Sequence, residues 1–174
     1  WSVGDGYVGD AALLAEGVER LAEDRAYFGT MMMQQGLADG MVSGTRQSTA
    51  NTMRPALQII KMQPGFKNVS SVFFMMLRDK VYVYADCAIN VDPSAEELAE
   101  IAVASAATAR AFGVAPRVAM LSYATGDSNK GPKIEKVIEA TKLAKAMAPD
   151  ELIDGPFQID AAVDPDVAAV KFPE

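Results

Sequence analysis

The sequence predicts an α/β fold, a three-layer arrangement of a sheet with helices on both faces, and two observations carry that expectation. Short β-branched and aromatic runs occur at Val69–Leu77, Val81–Ala85 and Arg117–Ser122, and stretches with apolar residues at helical spacing lie before, between and after them. The composition is that of a packed domain, with 174 residues of which 50% are hydrophobic and 22% charged. Strands that alternate with helices of this length favour a layered α/β sheet over a bundle or a sandwich.

Taken in order, Asp24–Gln35 reads as a helix and Gly40–Ser43 as a short strand. Ser48–Lys61 reads as a second helix, and the Pro-Gly pair in Lys61–Asn68 marks a boundary. The run from Val69 to Phe74 is continuous enough to expect burial on both faces. A turn at Asp79-Lys80 would make the first two runs a hairpin. Ser94 followed by Glu97 has the capping-box spacing, and Gly113 closes a helix whose inward face holds Leu98, Ile101, Ala102, Ser105, Ala109 and Phe112. The alanines on its back, Ala99, Ala106 and Ala107, predict close packing there as well. A further helix from Pro132 to Met147 turns Ile134, Val137, Ile138, Thr141 and Ala144 inward and its lysines outward. Leu152–Ile153 is a short strand candidate, and Asp164-Pro165 is a cap followed by a first-turn proline.

The charge balance excludes one class of partner. With 16 basic and 23 acidic side chains the net charge is −7, which argues against nucleic acid. The chain has no histidine, so a Ser-His-Asp triad, a Cys-His dyad and histidine-ligated metal sites are excluded within it. Its single cysteine, Cys87, permits no internal disulfide and favours a reducing, cytoplasmic setting. No run approaches the roughly 20 apolar residues of a membrane helix, so no membrane partner is expected. The chain opens on Trp1 rather than Met, from which an upstream segment is expected to have been removed.

Three polar loops are candidates for chemistry, because ligands of open α/β sheets collect where strands lead into helices. The first runs from Ser43 to Thr52 and enters Met53-Arg54-Pro55. Hydroxyls at a helix start leave backbone N–H groups for an anion, and Arg54 adds a permanently charged planar fork. The alternative is that Ser48 only caps the helix and Arg54 pairs with an acidic neighbour. The second loop, Leu121–Gly131, is rich in hydroxyls and glycine but lacks the order of a nucleotide phosphate loop, and a plain strand–helix connection serves equally well. In the third, Ala85–Asn90, Cys87 lacks a histidine to activate it and reads as a packed, inert thiol. Asp86 and Asn90 read there as organisers of loop backbone. The ten methionines read as core filler.

Six stretches, in this order, resemble the phosphate acetyltransferase (phosphotransacetylase) family: Ala38–Gly44, Asn51–Lys61, Val69–Met75, Ala85–Asn90, Val118–Tyr123 and Ile153–Ala162. The resemblance runs from about Tyr27 to Lys171. It implies a two-domain α/β architecture like that of isocitrate and isopropylmalate dehydrogenases, with 1–65 a remnant of the first domain and 66–174 most of the second. It also implies acetyl transfer between coenzyme A and inorganic phosphate by a cytoplasmic homo-oligomer, commonly a dimer, without metal or organic cofactor. Arg54, Ser48, Thr49 and Ser43 would line the cleft and hold phosphate or the thioester end of acetyl-CoA. Two departures stand out. The family's Asn-Asp-Leu-Ser-Arg-Gly motif, which carries the carboxylate base and its Ser-Arg partners, is absent, and its place would lie beyond Glu174. Ser2–Ala12 lacks the usual basic stretch. The expectation is a fragment with no catalytic residue of its own, silent when tested alone. The rival implications are a non-catalytic acetyl-CoA-sensing domain of the kind that ends some malic enzymes, and a phosphate butyryltransferase.

Overall fold

A computed structural model describes residues 19, 23–126 and 128–172. Ser2–Ala12, which lacks the basic stretch usual in the family, and Glu174, beyond which the base-bearing motif is expected, therefore lie outside the described residues. The chain divides into two compact units at Pro64/Gly65.

The first unit holds helices α1, Arg25–Gln34, and α2, Thr49–Ile59, which pack against each other. Asp24 caps α1 by accepting from the backbone N–H groups of Ala26 and Tyr27. The helix stops because Gly36 takes φ 69°, which lets Gly36 N–H reach Met33 O and Leu37 N–H reach Met32 O. That pair of bonds is a Schellman motif. The segment expected to be a strand, Gly40–Ser43, is irregular instead. No strand of its unit lies beside it among the described residues, so a ladder has nothing to pair with. It passes close over α1, where a Cβ on Gly29 would lie 2.5 Å from Met41 Sδ.

The second unit opens with the expected hairpin: β1, Val72–Met76, pairs antiparallel with β2, Val81–Ala85, with Phe74 opposite Val83. It is not buried on both faces, since Phe73, Met75 and Met76 are exposed. A two-stranded sheet offers only one face to its neighbours, and Phe74 takes that side, 4.7 Å from the Phe112 ring. Helix α3, Ala95–Ala111, starts at the complete capping box of Ser94 and Glu97 and ends in a second Schellman motif at Gly113. Strand β3, Val118–Leu121, helix α4, Pro132–Met147, and strand β4, Ile153–Phe157, form a parallel βαβ unit. Short helices α5, Ile159–Val163, and α6, Pro165–Lys171, follow, the latter capped by Asp164 as the sequence predicts.

The core forms where α3 and α4 meet the β3–β4 pair, through Ala99, Ala102, Met120, Val137, Ala140, Ala144 and Ile153. Alanine at the helix contacts lets the backbones approach closely, and the burial of Ala99 and Ala106 bears out the close packing expected there, whereas Ala107 is exposed. Phe112 and Ile138 turn outward rather than inward. Phe112 is the C-cap, past the last helical turn, so the inward stripe no longer governs it. Of the methionines only Met120 is buried, and the rest lie at or near the surface rather than filling the core. The single layered sheet is replaced, among the described residues, by two separate two-stranded sheets, β1–β2 and β3–β4.

Candidate functional site

The hydroxyl-rich turn before α2 is built by local chemistry. Ser48 takes an extended backbone conformation as N-cap, and its Oγ accepts from Asn51 N–H at 3.2 Å. Thr52 donates its hydroxyl back to Ser48 O at 3.1 Å. Thr49 and Ala50, the first two helical positions, keep backbone N–H groups without a partner among the described residues. Helical side chains slope toward the helix N-terminus, and three residues of separation put Arg54 on the face of Asn51. Its guanidinium accordingly leans back over the first turn and donates to Asn51 Oδ1 at 3.4 Å. Among the described residues it meets no carboxylate within salt-bridge distance, so the ion-pair alternative is not realised there. Pro55, the next residue, is the buried one of the helix.

Arg54, Ser48 and Thr49 are therefore brought to one helix end, all exposed. Ser43, also exposed, lies five positions before the cap in the irregular segment, separated from it by Gly44 at φ 108°. The turn has the features of an anion site: free amides, the positive end of a helix dipole and a cation without an acidic partner among the described residues.

The loop after β2 behaves differently. Asp86 accepts from Ser71 N–H at 3.0 Å, Ala88 N–H at 3.3 Å, Ile89 N–H at 3.2 Å and Asn90 Nδ2 at 2.9 Å. It also accepts from the Ser71 hydroxyl and the Asn90 N–H. Burial pushes its carboxyl up, but the bonds from Ser71 and Asn90 outweigh this and hold it well below the ordinary carboxylate range. A carboxylate so saturated is a poor proton acceptor. Asn90 ties the loop to the preceding strand through Val69 O at 2.9 Å. Cys87 is half-buried, and its thiol donates to Ser71 Oγ at 3.2 Å. Asp86 and Asn90 thus organise backbone, as their types suggest, while the partner that sequence reasoning missed is Ser71. Its signal was a hydroxyl placed just ahead of a strand whose neighbour ends in aspartate.

The Leu121–Gly131 loop leaves β3 at its carboxyl end, and Asp127 within it lies outside the described residues. It is more than a plain connection. Buried Thr125 accepts at Oγ1 from Gln158 N–H at 2.9 Å, joining this loop to the residue that links β4 to α5. Lys171 reaches Gln158 Oε1 at 2.9 Å and both Asp160 oxygens at 2.9 and 2.8 Å. The ammonium lowers the Asp160 carboxyl below its ordinary range. Elsewhere in this unit an open apolar groove runs between β3–β4 and the short helices, with Arg117 and Asp154 as its only charged groups among the described residues. It lacks the converging polar groups that a phosphate needs. Among the described residues no cluster of acidic and cysteine side chains suits a metal ion, and no helix is long and apolar enough to cross a membrane.

Comparison with known proteins places these features in context. A family described as phosphate acetyl/butaryl transferase matches residues 8–174. A phosphate acetyltransferase of Synechocystis sp. is 62% identical over 150 residues, 86% of this chain and 22% of that protein. One from Escherichia coli is 60% identical over 151 residues, 87% of this chain and 21% of that protein. The chain therefore spans about a fifth of the length of these relatives. Among solved structures, a phosphotransacetylase from Streptococcus pyogenes matches with a TM-score of 0.82 at 52% identity, over 91% of this chain and 49% of that one. The EutD phosphotransacetylase from Staphylococcus aureus matches with a TM-score of 0.77 at 51% identity, over 85% of this chain and 46% of that one.

Proposed function

The chain belongs to the phosphate acetyl/butaryl transferase family, and from that premise we propose that it is part of a phosphate acetyltransferase, which moves an acetyl group reversibly between coenzyme A and inorganic phosphate. A phosphate oxygen attacks the thioester carbonyl, the new C–O bond forms, the C–S bond breaks and the coenzyme A thiolate leaves, taking up the proton that the hydrogen phosphate gives up. The observation that carries this reading in the chain itself is the exposed guanidinium of Arg54 leaning over the first turn of α2, beside amides that lack partners among the described residues. In this role Arg54, Ser48, Thr49 and Ser43 bind substrate. Arg54 supplies a charge-assisted fork to a phosphoryl group, and the hydroxyls and amides supply further donors.

The base for the thiol and its Ser-Arg partners are supplied by the Asn-Asp-Leu-Ser-Arg-Gly motif that this chain lacks. Asp86 does not substitute for it, because its lone pairs are already occupied. The same reading makes 1–65 a remnant of a first domain and 66–174 most of a second, and extends the two small sheets into layered ones by additional chain. It includes a cytoplasmic homodimer that needs neither metal nor organic cofactor; the single cysteine supports the reducing compartment, and the family resemblance alone supports the rest. The family description covers butyryl as well as acetyl transfer, and the named relatives favour acetyl.

The test is release of coenzyme A from acetyl-CoA and phosphate, followed with a thiol reagent. The 174-residue polypeptide is expected to release none. The full-length protein is expected to turn over, more slowly with butyryl-CoA. Turnover by the short polypeptide would refute the requirement for the missing motif. A full-length protein inert toward both donors would refute the function.

A further inference from the structure

Two of the polar segments meet at one edge of the parallel pair. Strands β3 and β4 both end there, and in open α/β folds this carboxyl edge is where loops meet ligands. Ser122 N–H donates to Phe157 O at 2.8 Å and Gly126 N–H to Pro156 O at 3.0 Å, so the loop after β3 is stitched along the end of β4. At the centre is Thr125, 7% exposed, whose hydroxyl oxygen takes the Gln158 N–H. The Gln158 side chain turns back, with Oε1 3.4 Å from Thr125 Oγ1 and held by Lys171. The close approach has its own requirement: a Cβ on Gly155 would lie 2.6 Å from Met120 O, so only glycine lets β4 press against β3 here.

We propose that Thr125 is a positioning residue: through Gln158, the one residue between β4 and α5, it locks the loop after β3 to the junction of β4 with α5, and so holds the substrate-facing edge of this unit in one arrangement. It touches no substrate itself. The proposal rests on the acetyl-transfer reading above, and goes beyond it by assigning a role to a loop that this reading leaves unused. Valine has the shape of threonine without the acceptor, so it removes the lock while filling the space. Serine keeps the hydroxyl. A loop released from its fixed geometry misplaces whatever it presents, and small misplacements are costly in catalysis.

The experiment uses the full-length protein at a temperature where circular dichroism shows every variant folded. Thr125→Val is expected to lower kcat/KM for acetyl transfer roughly tenfold, and Thr125→Ser to return it to within about twofold. Arg110→Ala, which breaks an ion pair between the exposed Arg110 and the half-buried Glu151 elsewhere in the unit, is expected to leave kcat/KM unchanged. Amide exchange at Gly126 and Gln158 is expected to rise in Thr125→Val and not in Thr125→Ser, whatever the reaction. An active wild type beside an unchanged Thr125→Val overturns the proposal, and so does a loss that serine fails to restore. A wild type without acetyl transfer would refute the functional reading instead. Exchange then decides the lock by itself, and unprotected amides in the wild type would overturn it.

Discussion

The turn before α2 and the loop after β2 draw on the same small polar residue types, and they handle charge in opposite ways. Around Asp86 six nearby donors are spent on the carboxylate, the N–H groups of Ser71, Ala88, Ile89 and Asn90, the Ser71 hydroxyl and the Asn90 side-chain amide, while the Cys87 N–H and thiol go to Ser71 Oγ. Around Arg54 only one side-chain acceptor is engaged, at 3.4 Å, and two amides of the helix start have no partner among the described residues. The first arrangement spends its charge on holding a loop. The second leaves charge and donors for something that arrives from solution. A charged residue in a polar loop is therefore a candidate for binding only after its hydrogen-bonding capacity has been counted.

The largest expected effect tests the first half of that contrast. Asp86→Ala strands several half-buried donors at once, and since bonds to charged groups contribute about 1.5–3 kcal/mol each without adding fully, a loss of about 3 kcal/mol is expected. Urea unfolding checks it, and a loss under about 1 kcal/mol would mean that water replaces the carboxylate freely. The pH dependence follows from the same bonds. A carboxyl held below its ordinary value of 3.8 contributes stability that is complete above that value. The contribution is lost as pH falls below it toward the lower folded value. Stability is expected to drop on acidification from about pH 5, and Asp86→Asn to flatten that slope. An unaltered slope would assign the acid sensitivity to other carboxylates.

Arg54 should show the reverse pattern. In the full-length protein Arg54→Ala is expected to weaken phosphate use by about 2 kcal/mol, roughly thirtyfold in kcat/KM, with stability unchanged within about 0.5 kcal/mol. Unchanged phosphate kinetics would remove Arg54 from the site. A large loss of stability with proportionate loss of activity would make it a structural residue and erase the contrast.

How much of this was legible beforehand depends on how local the cause is. The caps at Ser94 and Asp164 and the glycine stop at Gly113 were readable, because each is decided within a few residues. The hairpin was readable for the same reason. Burial on both faces of β1 was not, since it depends on how many strands stand beside it, and only one does among the described residues. Gly40–Ser43 failed as a strand likewise, having apolar character but no partner among the described residues of its unit. At the sites, Asp86 and Asn90 were legible as backbone organisers within one loop. Ser71, fifteen positions from Asp86, and Thr125, thirty-three from Gln158, were not, because only the strand pairing brings them together.

The smallest effect separates the two readings of Ser48 most sharply. Its Oγ accepts from Asn51 N–H, so some part of its role is the cap. Ser48→Ala removes that acceptor and should cost α2 about 1 kcal/mol, but it would also remove a hydroxyl from any ligand, so it cannot tell the roles apart. Ser48→Asp can. Aspartate caps as well as serine, and its negative charge suits the positive helix end, so stability should hold or rise by a few tenths of a kcal/mol. The same charge beside Arg54 neutralises the cation and repels an incoming phosphate. If the turn binds an anion, Ser48→Asp keeps or gains stability while the phosphate KM rises severalfold; if Ser48 only caps, stability responds in the same way and the phosphate KM stays where it was.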